Sequence, residues 1–131
     1  MTEEALDLWR RALHSLRAAE MLASEEPDSA ASRAYYAAFH AVSALFALRG
    51  ATYVKHSAVK AAVHRDLVRA GAWDTSLGES YSYLFELRTT GDYGGSSHVT
   101  AEEAEESVQK AREILSAVCD ASKGAFPTER G

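Results

Sequence analysis

Residues 28–49 read DSAASRAYYAAFHAVSALFALR, and this stretch decides the fold. It contains no proline or glycine and stops at Gly50, the residue type that most readily closes a helix. Ala34, Tyr35, Ala38, Phe39, Val42, Leu45 and Phe46 spread apolar surface over most of the helix circumference. A helix apolar that far round lies at the centre of its domain or is shared with a partner chain. Its small residues, Ala30, Ala31, Ala34, Ala37, Ala38 and Ala41, allow a neighbouring helix to approach closely.

Four further helical segments flank it. The first is expected from about Glu3 to Ser24, with Thr2 as N-cap and Glu3 and Glu4 suited to the positive helix end. Its buried stripe is Ala5, Trp9, Ala12, Leu16, Ala19 and Ala23, and Pro27 interrupts beyond it. A shorter segment spans about Ser57 to Ala70, with Val59, Val63, Leu67 and Ala70 in line before Gly71. The next starts at Ser76, where Ser76-Leu-Gly-Glu79 has capping-box spacing, and runs to about Thr90. The last starts at Thr100 with a second box, Thr100-Ala-Glu-Glu103. Its apolar positions recur at helical spacing from Ala101 to Val118. No segment alternates with period two for long enough to make a strand. The expected architecture is all-α, an antiparallel up-and-down bundle of four main helices plus a shorter one over residues 1–122. Residues 123–131 read as a flexible tail.

Composition narrows the function. The chain has 131 residues, the size of one domain, with 47% hydrophobic and 25% charged residues. Nineteen acids against 14 bases leave a net charge of −5, which excludes a protein that coats nucleic acid through bulk charge but not one with a local basic cleft. One cysteine, Cys119, permits no internal disulfide and fits a cytoplasmic protein. No apolar run suits a membrane span, so no membrane partner is expected. The motifs GxGxxG, GKS/GKT, HExxH and GxSxG are missing, and His56, His64 and His98 do not have metal-ligand spacing. No metal and no cofactor are therefore expected.

Three places carry candidate chemistry. In Leu87-Arg-Thr-Thr-Gly-Asp-Tyr93, Arg88 continues the apolar stripe Leu77, Tyr81, Leu84. It either pairs with Asp92 to close the helix or points into a cleft, with Asp92 and Tyr93 just beyond the helix. On the central helix Arg33, Tyr36 and His40 share one face, and an Arg, a phenol and an imidazole in a row suit a phosphate and a base. The competing reading keeps Tyr36 and His40 as satisfied core residues. Lys55-His56-Ser57 opens the shorter helix, where unpaired amides attract anions and disfavour a protonated imidazole. Simple capping competes there.

Taken in this order, Ser32-Arg-Ala-Tyr-Tyr-Ala-Ala-Phe-His-Ala41, Lys55-His-Ser57 and Phe85-Glu-Leu-Arg-Thr-Thr-Gly-Asp-Tyr93 resemble the HEPN domain family, from about Leu6 to Val118. The resemblance implies a helical bundle that is usually a homodimer. It also implies either a metal-independent ribonuclease or a nucleotide- or RNA-binding partner of a nucleotidyltransferase, often as toxin and antitoxin. The family's nuclease motif, an Arg followed after four to six residues by a His, is broken: positions 93–95 hold Tyr93, Gly94 and Gly95. Arg88 is then the expected cation over a phosphodiester, with Asp92 and Tyr93 in place of the His region. His40 or His56 is the substitute base if the fold brings one near. Tyr93 also resembles the tyrosine that a partner transferase nucleotidylates in some members.

Overall fold

A computed structural model of the chain describes residues 3–127, and its helices are α1 Glu3–Leu22, α2 Pro27–Leu48, α3 His56–Ala62, α4 Thr75–Tyr93 and α5 Ala101–Ala121. From Val63 to Val68 the shorter helix continues past α3 with π-type winding. The fold is the all-α bundle expected, with α2 packed against each of the other four helices. Twelve α2 side chains are buried, from Ala30 to Phe46. Most of its apolar circumference is thus used inside the protomer, while Tyr36, Phe39 and Ala47 remain partly exposed. Alanines on α1 (Ala5, Ala12, Ala19) and α2 (Ala30, Ala34, Ala37, Ala41) are fully buried, which lets these two backbones approach closely along most of their length. No helix among the described residues is long and apolar enough to cross a membrane.

The helix ends differ from expectation in instructive ways. Thr2 lies outside the described residues, and α1 stops at Leu22, two residues early. The capping box at Thr100 forms: its hydroxyl accepts from Glu103 N–H at 3.0 Å while Glu103 accepts from Thr100 N–H at 2.9 Å. The one expected at Ser76 does not. Asp74 caps α4 instead, accepting from Leu77 N–H at 3.2 Å, and the Ser76 hydroxyl donates to the same carboxylate at 2.6 Å. The Asp74 carboxylate, two residues upstream, starts the helix earlier and takes up the Ser76 hydroxyl as one of its own donors.

The far end of α4 runs through Gly91 to Tyr93 and does not stop at Thr90, so Asp92 and Tyr93 sit on its last turn. The segment 123–127 is likewise not a free tail. Phe126 is buried and stacks on Trp9 with centroids 5.2 Å apart, and Trp9 Nε1 donates to the Pro127 carbonyl at 2.6 Å. The sequence signals there, a Lys-Gly pair and a proline, mark a turn; they do not reveal that the next aromatic folds back onto α1. Residues 128–131 lie outside the described residues.

Candidate functional site

The last turn of α4 passes the first turn of α2 at Gly91. A β-carbon built on Gly91 would lie 2.8 Å from the Asp28 carbonyl oxygen. The Asp28 side chain faces the other way and fastens the α4–α5 link. It accepts from Val99 N–H at 2.7 Å and meets His98 Nδ1 at 2.8 Å, and these contacts hold its carboxyl below the ordinary value. Gly91→Ala therefore sets two effects against each other. Helix propensity would favour alanine by about 1 kcal/mol, whereas backbone overlap costs about 1–3 kcal/mol. We expect a net loss of stability and a lower Tm in thermal melts; a Tm that rises would contradict the close approach.

This crossing places Arg88 beside α2. Its guanidinium carbon lies 5.0 Å from the Tyr35 ring centroid, 5.9 Å from Tyr36 and 6.0 Å from Tyr93. The side chain is 14% exposed, and its nearest carboxylate contact, Asp92, is at 3.8 Å, too long for a hydrogen bond. Arg88 Nε is buried without a hydrogen-bond partner. The ion pair read from the sequence is thus present but loose, and it leaves donors of the guanidinium unused. Tyr93 stands at the rim, 73% exposed.

The three sequence segments converge here. Arg33 lies over the other candidate ring, Tyr36, at 5.1 Å. Tyr35, fully buried, meets His56 Nδ1 through its hydroxyl at 2.8 Å, and burial pushes its phenol up to about 12. The His56 ring stacks on Phe39 at 4.2 Å and meets Tyr36 edge-on at 5.8 Å. Burial, and then the Arg88 charge, hold the His56 pKa below its ordinary value, so this imidazole is neutral at pH 7. His40 lies 6.0 Å from Tyr36, also held down by burial and then by Arg11 and Arg33, and its buried Nδ1 has no hydrogen-bond partner. It is not the satisfied core residue of the competing reading.

Lys55 is the one candidate whose side chain shows no contact with this cluster. It is exposed at the N-cap of α3, where its carbonyl accepts from Ala58 and Val59. His98 is engaged by Asp28 instead. Four members were not candidates: Tyr35 and Phe39, read only as apolar positions, and Phe85 and Lys60. Phe85 stands one turn before Arg88 and meets Tyr35 at 5.8 Å, and Lys60 lies over Phe85 at 4.7 Å. The signal was available as spacing: His56 and Lys60 are four residues apart on one helix face, and Phe85 and Arg88 three apart on another.

A concavity of about 270 Å³ opens at the α2–α4 crossing, lined by Arg33 and Asp92 together with Asp28, Ser32 and Gly91, while Arg88 lies outside its lining. Among the described residues no group of three or more His, Cys, Asp or Glu is placed to hold a metal ion. The arrangement can grip an anion with cations and stack a flat group on half-buried rings.

Residues 5–122 match the family described as HEPN domain. The chain belongs to the HEPN family. Among similar proteins, a UPF0332 protein of Thermotoga maritima is 39% identical over 118 residues, covering 88% of this chain and 89% of the relative. A protein of Methanocaldococcus jannaschii named as a putative toxin is 32% identical over 109 residues, covering 82% of this chain and 74% of that one. The crystal structure of TT1696 from Thermus thermophilus superposes with a TM-score of 0.80 at 26% identity, covering 92% of this chain and 99% of that one.

Proposed function

We propose that this HEPN protein is a dimeric binding module that holds RNA or a nucleotide at the α4 end through Arg88, and that it works with a nucleotidyltransferase-type protein in a toxin–antitoxin-like pair. The observation that supports this most is the state of Arg88: a largely covered guanidinium with an unpartnered Nε and only a 3.8 Å contact to Asp92. Covered donors without acceptors are costly, and a phosphate offers acceptors in the fork geometry that suits arginine. Asp92 and Tyr93 frame the group from the same turn. The exposed Tyr93 hydroxyl is the one such a partner would modify. The relative named as a toxin supports the pairing. The dimer would form through the half-exposed part of α2, where Tyr36 and Phe39 lie, or through the α4 end.

The test is fluorescence anisotropy of a labelled single-stranded RNA, with ADP as competitor, together with sizing of the free protein. Saturable binding by a dimer supports the proposal. A monomer that binds neither RNA nor ADP would sink it.

A second reading is favoured by the neutral His56 within the same ring cluster as Arg88. It makes the protein a metal-independent ribonuclease, with His56 as base and Arg88 over the phosphate. It requires 2′,3′-cyclic phosphate ends in the presence of EDTA. If wild type and His56→Gln leave RNA equally intact, this reading is excluded and the binding module stands.

A further inference from the structure

Arg88 is one of three cations seated on a connected set of rings. Arg33 lies over Tyr36 at 5.1 Å, Arg88 over Tyr35 at 5.0 Å and Lys60 over Phe85 at 4.7 Å. The rings beneath them adjoin: Tyr36 to Tyr35 at 5.2 Å, then Tyr35 to Phe85 at 5.8 Å. Each cation comes from a different helix, Arg33 from α2, Arg88 from α4 and Lys60 from α3.

We infer that Lys60 is a phosphate contact, the third in a path for single-stranded RNA that runs from Arg33 past Arg88 to Lys60. The inference rests on the RNA-binding reading above and deepens it. Three physical points carry it. The charges are available. Arg88 has only the loose Asp92 contact, and among the described residues no carboxylate lies within ion-pair distance of Arg33 or Lys60. The charges are also positioned. A cation resting on a ring face keeps its outward donors free and loses much of its rotamer freedom before any ligand arrives. Finally, the rings beneath the cations adjoin at 5.2 and 5.8 Å, so the three cations sit on one continuous aromatic surface. Half-buried Tyr36 and Phe85 at the two ends leave ring surface for unpaired bases, which a duplex would keep stacked inside itself. Buried Tyr35 serves only as floor.

A mononucleotide would engage one of these cations, and an oligonucleotide all three. An internal control exists: Lys110 lies over Tyr83 at 5.2 Å in the same kind of contact, but it has Glu106 at 3.8 Å and belongs to α5, which supplies none of the three cations.

The experiment measures the affinity of a fluorescein-labelled oligouridylate for wild type, Lys60→Gln, Lys60→Arg and Lys110→Gln across a salt series. Thermal melts check that each variant folds. Three single-strand phosphate contacts give a log–log salt slope of about −2 for wild type. Lys60→Gln should make the slope shallower by about 0.7 and weaken binding about fivefold near 0.1 M salt. Lys60→Arg should keep most of the affinity, and Lys110→Gln should match wild type. If Lys60→Gln binds with wild-type affinity and slope while Arg88→Ala has lost binding, the path is wrong and the binding site remains. If UMP binds as tightly as the oligomer, the path is wrong in the same way. If wild type binds no RNA at all, the functional reading itself falls, and this inference with it.

Discussion

Arg88→Ala is expected to weaken binding of single-stranded RNA or nucleotide by about 10- to 100-fold, while leaving the fold intact. The magnitude follows from losing one charge-assisted, fork-type contact, about 1.5–3 kcal/mol. Arg88 gives up only a 3.8 Å contact to Asp92, so its removal breaks no strong ion pair in the folded protein. Truncation also removes a buried donor that has no partner, which offsets part of the lost ring contacts. The decisive comparison is the dissociation constant of the variant against its Tm. A large change in binding with a Tm within a few degrees of wild type assigns Arg88 to ligand recognition. Unchanged binding with a lower Tm would make it a brace between α4 and α2. Arg88→Lys separates charge from shape, because an ammonium keeps the charge but not the fork.

The largest stability effect is expected where the segment after α5 closes over α1. Trp9→Ala should cost about 3–5 kcal/mol, the range for deleting a fully buried large aromatic. Trp9 is 1% exposed, stacks on Phe126 and donates from Nε1 to the Pro127 carbonyl. Its loss therefore opens a cavity and also releases the chain that closes over it. That chain has two more fastenings, Cys119 Sγ to the Phe126 carbonyl at 3.2 Å and Phe126 N–H to Ser122 Oγ at 3.1 Å. Urea unfolding followed by circular dichroism gives the free energy, and limited proteolysis reports whether the segment after Ser122 has come loose. A loss below about 1 kcal/mol, with no new cleavage there, would show that Trp9 and Phe126 do not form one packed unit.

The two variants also mark the boundary of what could be read beforehand. Trp9 was legible as a core position from its place in the α1 stripe. Its partner Phe126 was not, since the two lie near opposite ends of the chain and no periodicity links them. Arg88 was legible as an oddity, a cation on an apolar stripe. Whether it paired with Asp92 or faced a cleft depended on how far α4 continued. The expected end at about Thr90 is passed, and the helix runs through Gly91, where only a residue without a β-carbon lies so close to Asp28. His40 and His56 were equivalent as substitute bases in the sequence; the packing of α3 against α2 put His56 on the Tyr35 hydroxyl and left His40 beside Tyr36.

By itself, then, the chain's order of residues determined the helices, most of their buried faces, the central place of α2 and the family, though Ala70 and Ala101, read as buried, are exposed. These are properties of local period, capping chemistry and residue size, all of which act within a few turns. The tertiary structure alone decided that Arg33, Arg88 and Lys60 share one aromatic floor, that the segment after Ser122 closes over Trp9, and that Asp28 ties down the link before α5. Each of those depends on which faces of distant helices meet and at what separation. A helical period tells which side of a helix is apolar, but not which side chain of another helix it will touch.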